Sequence, residues 1–216
     1  VDYLTLNRQR TWDICEEIIR RGIKVSMQCK NGIRADKVDK ELLAKMKEAG
    51  VWLVAVAPES GQQASLDRMR KGFTLETVKQ AVKWCKEIDM KTFALYIFGL
   101  PWETMDDMKK TFAFSKELDT DFVQYSRYTP MEGTPLYEEV KAEGMLLENE
   151  FQDMGIHSGT VNYMPKHASR EEMNKLYKQV YRGYYLRPRK MWNILRTLTL
   201  RDIYYTAKYA LASSSM

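Results

Sequence analysis

VWLVAVAPES at residues 51–60 and FALYIFGLPWE at residues 93–103 each join a short apolar run to a turn that carries an acidic residue. The run at residues 51–57 is apolar throughout, which is typical of a central strand in a parallel sheet that has layers on both faces. In parallel sheets the carboxyl ends of the strands form the edge where ligands bind. These two segments therefore predict both the fold class and the place of a functional site.

Helix and strand signals alternate along the chain. Strands are predicted to begin near residues 23, 51, 91 and 122, and the first of them is an alternating segment at residues 23–29. Intervals of about 30 to 40 residues between strands are typical of right-handed βαβ units. Four such units are too few to close an eight-stranded barrel, so the pattern predicts either a barrel completed by further units upstream or a sheet that stays open.

Capping residues and apolar stripes predict the helices. Asn7 and Thr74 are in N-cap positions, and a capping box begins at Thr104. After Pro135 the pattern changes to a loop-rich stretch. Two more helices are predicted, one opened by Ser169 and one with Pro188 in its first turn.

Length and cysteine content narrow the class of protein. At 216 residues and 44% apolar composition the chain can bury one substantial core. It starts with valine rather than methionine, so we expect an internal piece of a longer polypeptide. Cys15, Cys29 and Cys85 have no metal-ligand spacing, which predicts no metal site within the chain and a reduced, cytoplasmic protein. Cys15 and Cys85 fall on apolar helix stripes and are expected to be core residues.

The charge is concentrated at the C-terminal end. Residues 166–216 carry 11 basic and 3 acidic residues together with seven tyrosines and a tryptophan. This composition suits an anionic membrane surface or nucleic acid, which would make the tail a binding module. Helices that pack on the barrel with a solvated basic face are the favoured interpretation. We therefore expect no nucleic-acid partner, and peripheral membrane contact through the tail stays an open alternative.

Five motifs occur in order over residues 1–137. They are DYLTLN at 2–7, GIRAD at 32–36, PESG at 58–61, IFGLPWE at 97–103 and TPMEGTPLY at 129–137. In this order and spacing the sequence resembles radical S-adenosylmethionine (SAM) enzymes, and more narrowly the catalytic domain of the subgroup whose N-terminal half often binds cobalamin.

The resemblance implies an α/β fold. It is a partial (β/α)6 radical SAM barrel of which this chain lacks the first strands, followed by C-terminal α-helices. The implied regions are residues 1–137 as two-thirds of the barrel, 138–168 as a loop-rich connection and 169–216 as a helical, basic and aromatic extension.

The resemblance also implies the chemistry of the intact protein. Such enzymes bind SAM and a 4Fe-4S cluster and cleave SAM to a 5'-deoxyadenosyl radical, and cobalamin-dependent methyl transfer is one outcome in this subgroup. The cluster cysteines of a CxxxCxxC loop are absent from this sequence, so they are expected upstream and the chain alone should not turn over. The implied partners are SAM, a substrate that the sequence does not identify, the upstream part of the polypeptide, and an electron donor such as flavodoxin or ferredoxin.

Candidate SAM-binding residues follow from the matched motifs. Glu59 and Ser60 match positions that hydrogen-bond the ribose or methionine part of SAM, although Glu59 could instead cap the next helix. Arg34 matches an arginine of close relatives and would pair either with the SAM carboxylate or with Glu59. Gln28, on the polar face of the first strand, is a weaker candidate, with a satisfied interior amide as its alternative.

The last two strands supply further candidates. Ile97, Phe98 and Gly99 match the motif that packs against adenine, and Glu103 is expected to hold the turn rather than to do chemistry. On the fourth strand, alternation separates the polar residues into two sets. We expect the set that contains Tyr125 and Arg127 to face the cavity, and the set of Gln124, Ser126 and Tyr128 to face away from it.

A phosphate-ligand (β/α) barrel lyase or isomerase is the alternative enzyme class. Such an enzyme needs a lysine or a glycine-rich loop at its late strand ends, and the sequence has neither at those positions.

Overall fold

Four parallel strands form one sheet in the order β1-β2-β3-β4 in the computed structural model, which describes residues 4–146 and 163–197. The strands are β1 (Met27–Ile33), β2 (Val51–Glu59), β3 (Lys91–Phe98) and β4 (Phe122–Arg127). Each strand lies beside the next one in sequence, and helices connect them. The predicted α/β class with a partial parallel barrel and C-terminal helices is confirmed.

Eight α-helices are described within these residues. They are α1 (Arg8–Arg20), α2 (Lys40–Glu48), α3 (Gln63–Arg68), α4 (Leu75–Glu87), α5 (Met105–Leu118), α6 (Pro135–Ala142), α7 (Arg170–Tyr185) and α8 (Pro188–Thr197).

The predicted caps are confirmed by hydrogen bonds. The Asn7 side chain accepts from the backbone N–H of Arg10 at 3.0 Å, and Thr74 caps α4 in the same way. Thr104 and Asp107 form a complete capping box at the start of α5. These local bonds satisfy backbone donors that the helices themselves leave open, so they fix where each helix begins.

The predicted start of the first strand, near residue 23, is wrong. Residues 23–26 are an exposed connection, and β1 begins only at Met27, where the chain reaches Val51 of β2. An alternating segment fits any extended backbone, whereas a strand needs a neighbour with free hydrogen-bonding groups. The pairing with β2, and not the alternation, therefore decides where β1 starts.

The stretch after Pro135 is also more ordered than predicted. It begins with α6, which is capped by Thr134 and has Pro135 in its first turn. Proline at that position is favourable because the first backbone N–H of a helix has no partner in any case. Most of the rest of the predicted loop-rich connection lies outside the described residues.

Burial alternates strictly along β3. The buried positions are Thr92, Ala94, Tyr96 and Phe98, and the half-buried positions are Phe93, Leu95 and Ile97. The buried face meets α5, because the ring of Tyr96 packs edge-on against Phe114 at 6.5 Å between centroids. Phe98 and Ile97, although adjacent in sequence, therefore lie on opposite faces of the sheet.

Contacts divide the chain into two units, Val1–Asn174 and Lys175–Met216. In the described part of the second unit, α8 begins at Pro188, as predicted, and the Lys190 ammonium lies 5.5 Å from the centre of the Tyr184 ring. No helix among residues 4–146 and 163–197 has the length and apolar character needed to cross a membrane.

Gly22 and Gly50 both have a positive φ, and substitutions at these glycines test how closely Val25 packs before β1. A Cβ at Gly50 would lie 2.2 Å from the carbonyl oxygen of Val25, whereas a Cβ at Gly22 would have no atom within 4 Å. Both positions impose the left-handed strain, but only Gly50 adds a clash with backbone.

We expect Gly50→Ala to lower the free energy of unfolding by about 3 kcal/mol or more and the matched control Gly22→Ala by about 1 kcal/mol. Urea unfolding followed by circular dichroism measures both. Equal losses in the two variants would contradict the close approach of Val25.

Candidate functional site

The carboxyl ends of all four strands lie on the same edge of the sheet. β1, β2, β3 and β4 end at Ile33, Glu59, Phe98 and Arg127, and each is followed by a turn. In parallel α/β proteins this edge is where ligands bind, so the residues in these turns form the candidate site.

Glu59 ends β2 in a strained conformation. Its φ of 64° is in the left-handed region, which non-glycine residues seldom adopt. Its carboxylate accepts a hydrogen bond from the Lys71 ammonium at 3.2 Å, with the two side chains 20% and 21% exposed. Burial raises the pKa of Glu59, and the nearby Lys71 charge opposes that shift. The pair thus places one anion and one cation, both partly desolvated, at the strand end.

Arg34 lies next to this pair. Its guanidinium forms two hydrogen bonds with Asp36 at 2.8 and 3.0 Å and a third with the backbone oxygen of Lys71 at 3.3 Å. It also lies 5.7 Å from the centre of the Phe73 ring. Of the two predicted partners, Glu59 is therefore wrong as the ion-pair partner of Arg34, because Asp36 takes that place and Lys71 pairs with Glu59.

The sequence motifs do not predict a role for Lys71. It belongs to the turn Arg70-Lys71-Gly72-Phe73 that leads into the N-cap Thr74. A signal was available, because α4 leads back to the amino end of β3, so the loop between α3 and the N-cap Thr74 lies towards the carboxyl edge of the sheet.

Ser60 is fully buried and its hydroxyl is used within the protein. It lies 3.3 Å from Oε1 of Glu103, to which it donates, and 3.1 Å from the Thr111 hydroxyl of α5. The Thr111 hydroxyl in turn accepts from the backbone N–H of Gly61 at 2.9 Å. The structure therefore places Ser60 in a polar cluster behind the edge and not beside Glu59 in the site.

Glu103 holds the turn after β3, as predicted. Its Oε2 accepts hydrogen bonds from the backbone N–H groups of Gly99 and Leu100 at 3.1 and 3.2 Å. Through Oε1 it also reaches Ser60, which directly follows Glu59. One buried carboxyl group therefore joins the turns that end β2 and β3, and burial raises its pKa to about 7.

Of the three residues matched to the adenine motif, Ile97 and Phe98 do not share a surface. Phe98 is fully buried and its ring stacks on Tyr125 at 5.1 Å between centroids. Ile97 is half-buried on the opposite face. Gly99 adopts a φ of 81° in the turn between them and Glu103. Packing thus separates Phe98 from Ile97, so the prediction of one apolar face from both residues is wrong.

The orientation predicted for Tyr125 is wrong as well. Its hydroxyl lies 2.6 Å from that of Ser115 on α5, and the side chain is 3% exposed. Tyr125 therefore faces the helix layer, because an aromatic residue with one hydroxyl is stable there once Ser115 pairs with it. Arg127 has the same parity but lies at the end of β4, where its guanidinium hydrogen-bonds to Asn174.

Gln28 lies apart from the other candidates. It is exposed and pairs in register with Leu53, near the amino ends of β1 and β2. The carboxyl edge that holds Glu59 and Gly99 is at the other end of these strands.

The cysteines do not form a metal centre in the described residues. Cys15 and Cys85 are buried core residues, as predicted, and burial raises the pKa of both thiols, that of Cys85 to about 12. Over residues 4–146 and 163–197 no three His, Cys, Asp or Glu side chains come together as a metal site. An iron–sulfur cluster needs thiolates in one place, so the described residues do not fit one.

Comparisons with known proteins agree on one family. The sequence model of the Radical SAM superfamily matches residues 5–115, just over half of the chain. An uncharacterized methyltransferase of Pyrococcus horikoshii is 30% identical over 188 residues, which are 87% of this chain and 40% of that protein. An anaerobic magnesium-protoporphyrin IX monomethyl ester cyclase of Cereibacter sphaeroides is 33% identical over 63% of this chain and 23% of that protein. The chain thus spans less than half the length of these relatives.

Solved structures share the fold. TsrM from Kitasatospora setae, a radical S-adenosylmethionine methyltransferase with cobalamin and a 4Fe-4S cluster bound, matches with a TM-score of 0.61 and 16% identity over 83% of this chain and 41% of that one. Coproporphyrinogen III oxidase HemN from Escherichia coli matches with a TM-score of 0.59 and 12% identity over 82% and 37%. At these identities the likeness concerns the fold alone.

The raised pKa of Glu103 predicts a pH-dependent stability. Because the folded protein favours the protonated carboxyl, this residue stabilises the fold fully below about pH 4, and the contribution is lost as the pH rises through about 7. Between pH 4 and pH 8 we expect the free energy of unfolding of the wild type to fall by about 3 kcal/mol relative to Glu103→Gln.

Urea unfolding of both proteins at several pH values measures this difference, with exposed Glu117→Gln as the control that should follow the wild type. A difference between wild type and Glu103→Gln that stays constant with pH would contradict the burial of an ionisable carboxyl group.

Proposed function

This chain belongs to the radical SAM superfamily, and from that membership we propose that it is the part of a SAM-dependent enzyme that holds SAM at the carboxyl edge of its sheet. The observation that carries the proposal is the partly buried Glu59–Lys71 pair at the end of β2, beside Arg34. A ligand with hydroxyl groups, a carboxylate and cationic centres needs acceptors and donors fixed by rigid strand ends, and this edge offers both.

Each polar residue at the edge has a role in this proposal. Glu59 accepts hydrogen bonds from the ribose hydroxyls, and the neighbouring Lys71 charge favours its ionised form. Arg34 and Lys71 supply the positive charge for the SAM carboxylate. Ile97 offers an apolar side chain to adenine, and Gly99 lets the backbone approach it closely. Glu103 and Ser60 act behind them by holding the turns in place.

The cluster ligands belong to another part of the polypeptide in this proposal. When bound, the 4Fe-4S cluster supplies the electron that cleaves SAM. The described residues do not fit such a cluster, so a CxxxCxxC loop is expected within about 60 residues before Val1, which allows for two further βα units. The nucleotide sequence upstream of the Val1 codon tests this, and an open reading frame without such cysteines would contradict it.

Methyl transfer is the outcome that the relatives favour. The P. horikoshii protein is named as a methyltransferase, a relative from Methanocaldococcus jannaschii as a putative methylthiotransferase, and TsrM binds cobalamin. We propose accordingly that the whole protein transfers a methyl group with cobalamin held by an upstream domain. An electron donor of the flavodoxin or ferredoxin type would serve the cluster.

Weak SAM binding by the 216-residue chain tests the role of Glu59. Saturation-transfer NMR detects dissociation constants in the millimolar range, and we expect signals from the adenine and ribose protons of SAM. Because a charged hydrogen bond is lost, Glu59→Ala should weaken binding by about tenfold or more.

The matched control is Glu16→Ala, since Glu16 is an exposed carboxylate on α1. It should bind SAM like the wild type. If Glu59→Ala and Glu16→Ala bind SAM equally well, Glu59 does not hold the ribose.

A further inference from the structure

In α8 a lysine is buried while the large apolar side chains beside it are exposed. Lys190 is only 5% exposed, and its ammonium lies 5.5 Å from the centre of the Tyr184 ring. Met191 and Trp192, the next two residues, are 44% and 56% exposed. A surface helix normally has the opposite arrangement, since its apolar stripe faces the core and its charged residues face water. The exposed side of α8 is therefore an apolar surface that is available to a partner.

Leu186 extends this apolar surface. It is 62% exposed and lies in the two-residue connection between α7 and α8. The backbone N–H of Met191 donates to the carbonyl oxygen of Arg187 at 3.0 Å, which makes Arg187 the N-cap and Pro188 the first residue of α8. Leu186 and Met191 are then in the N′ and N4 positions, whose side chains pack against each other in a hydrophobic staple. We call Leu186, Met191 and Trp192 the apolar patch.

The helices around the apolar patch carry charge of one sign. From residue 175 to residue 197 the sequence has no acidic residue, and its seven basic residues are at positions 175, 178, 182, 187, 189, 190 and 196. Lys175, Lys178 and Arg182 are exposed, and their spacing of three and four places them on one face of α7. Arg189 is exposed on α8. A partner that fits this surface is both negatively charged and apolar.

Nucleic acids and anionic lipid bilayers are the two partners to distinguish. Nucleic acids are bound through their phosphates and through bases that stack on aromatic rings, so they need no aliphatic side chains. An anionic bilayer offers negative headgroups directly above hydrocarbon, and tryptophan near basic residues is typical of proteins at that boundary. Leu186 and Met191 add apolar surface without a ring, which favours the bilayer.

We propose that α8 binds the protein to an anionic membrane surface. Leu186, Met191 and Trp192 enter the boundary between the headgroups and the acyl chains, and the exposed basic residues of α7 and α8 contact the lipid phosphates. At about 1.5 Å per residue the ten residues of α8 span roughly 15 Å, half of the hydrocarbon core, so the helix lies on the bilayer and does not cross it. This inference goes beyond the proposed function, since it uses no residue of the SAM site.

Co-sedimentation of the 216-residue chain with lipid vesicles tests the proposal. The vesicles contain either phosphatidylcholine alone or phosphatidylcholine mixed with phosphatidylserine. We expect binding to the mixed vesicles to be at least about tenfold tighter than binding to neutral vesicles. It should weaken at least about tenfold when the salt concentration rises from about 0.1 M to 1 M, because salt screens the attraction between the basic residues and the headgroups.

Two substitutions of tryptophan test the apolar contribution. Trp192→Ser should weaken binding to the mixed vesicles about tenfold, because its ring no longer leaves water. The matched control is Trp52→Ser, which removes an exposed tryptophan of β2 and should bind like the wild type. Circular dichroism of each variant verifies that it is folded.

Paired substitutions of basic residues test the charge. The double variant Lys178→Gln and Arg182→Gln should weaken binding to the mixed vesicles about tenfold or more, because two positive charges near the headgroups are lost. The control is the double variant Arg10→Gln and Lys24→Gln, which removes two exposed charges from the first unit. It should bind like the wild type.

Tryptophan fluorescence with vesicles of brominated lipid tests whether the patch enters the bilayer. Bromine atoms on the acyl chains quench a tryptophan that reaches them. Trp192→Phe keeps an aromatic ring and should bind within about threefold of the wild type, but it should lose the quenching. Trp52→Phe should keep both the binding and the quenching.

Equal binding to neutral and mixed vesicles, no binding by the folded wild type, or quenching that persists in Trp192→Phe would overturn the proposal. A single-stranded RNA oligonucleotide that binds more tightly than the mixed vesicles would also overturn it and assign the surface to nucleic acid. So would a dimer in sedimentation equilibrium that Trp192→Ser abolishes, because the apolar patch would then belong to contact between two copies of the chain.

Discussion

The buried carboxyl group of Glu103 is the constraint on which the geometry of the site depends. It accepts hydrogen bonds from two backbone N–H groups after β3 and from Ser60 after β2. The Glu103 carboxyl group thereby holds the turn after β2 and the turn after β3 in fixed positions relative to each other. An unpaired carboxylate in this place would be costly, so the surrounding donors are as necessary to Glu103 as Glu103 is to the turns.

The edge of the sheet has two chemically different regions. The ends of β1 and β2 carry ionic groups, with Arg34, Asp36, Glu59 and Lys71 in contact through hydrogen bonds. The ends of β3 and β4 carry rings and thioethers around one guanidinium, that of Arg127. The ionic region and the apolar region are therefore separate parts of one sheet edge.

Much of the fold could be predicted from the sequence, because the deciding signals are local. Caps at Asn7, Thr74 and Thr104 depend on neighbours three residues away, and the prediction of helix starts there is confirmed. The start of β1 could not be predicted in this way, because it depends on where the chain places the carbonyl oxygen of Gly50, which accepts from the Met27 N–H at 2.9 Å.

The site was harder to predict for the same reason. Alternation groups Tyr125 with Arg127 correctly, but it does not say which face meets the helices, and Ser115 on α5 decides that for Tyr125. The partner of Glu59 is likewise a residue from a loop 12 positions later in the chain. Matched motifs point to the carboxyl edge of the sheet, whereas contacts between distant segments decide which charged groups pair there.

Close packing of Gly61 against α5 helps to set the position of Glu59, two residues earlier in the chain. A Cβ at this glycine would lie 2.6 Å from Cβ of Phe114 and 2.7 Å from Cα of Thr111, both on α5. The turn after Glu59 can therefore lie this close to α5 only because residue 61 has no Cβ atom. Substitutions of the side chains around this edge would therefore leave the turn after Glu59 in place, because close contact between Gly61 and α5 sets its position.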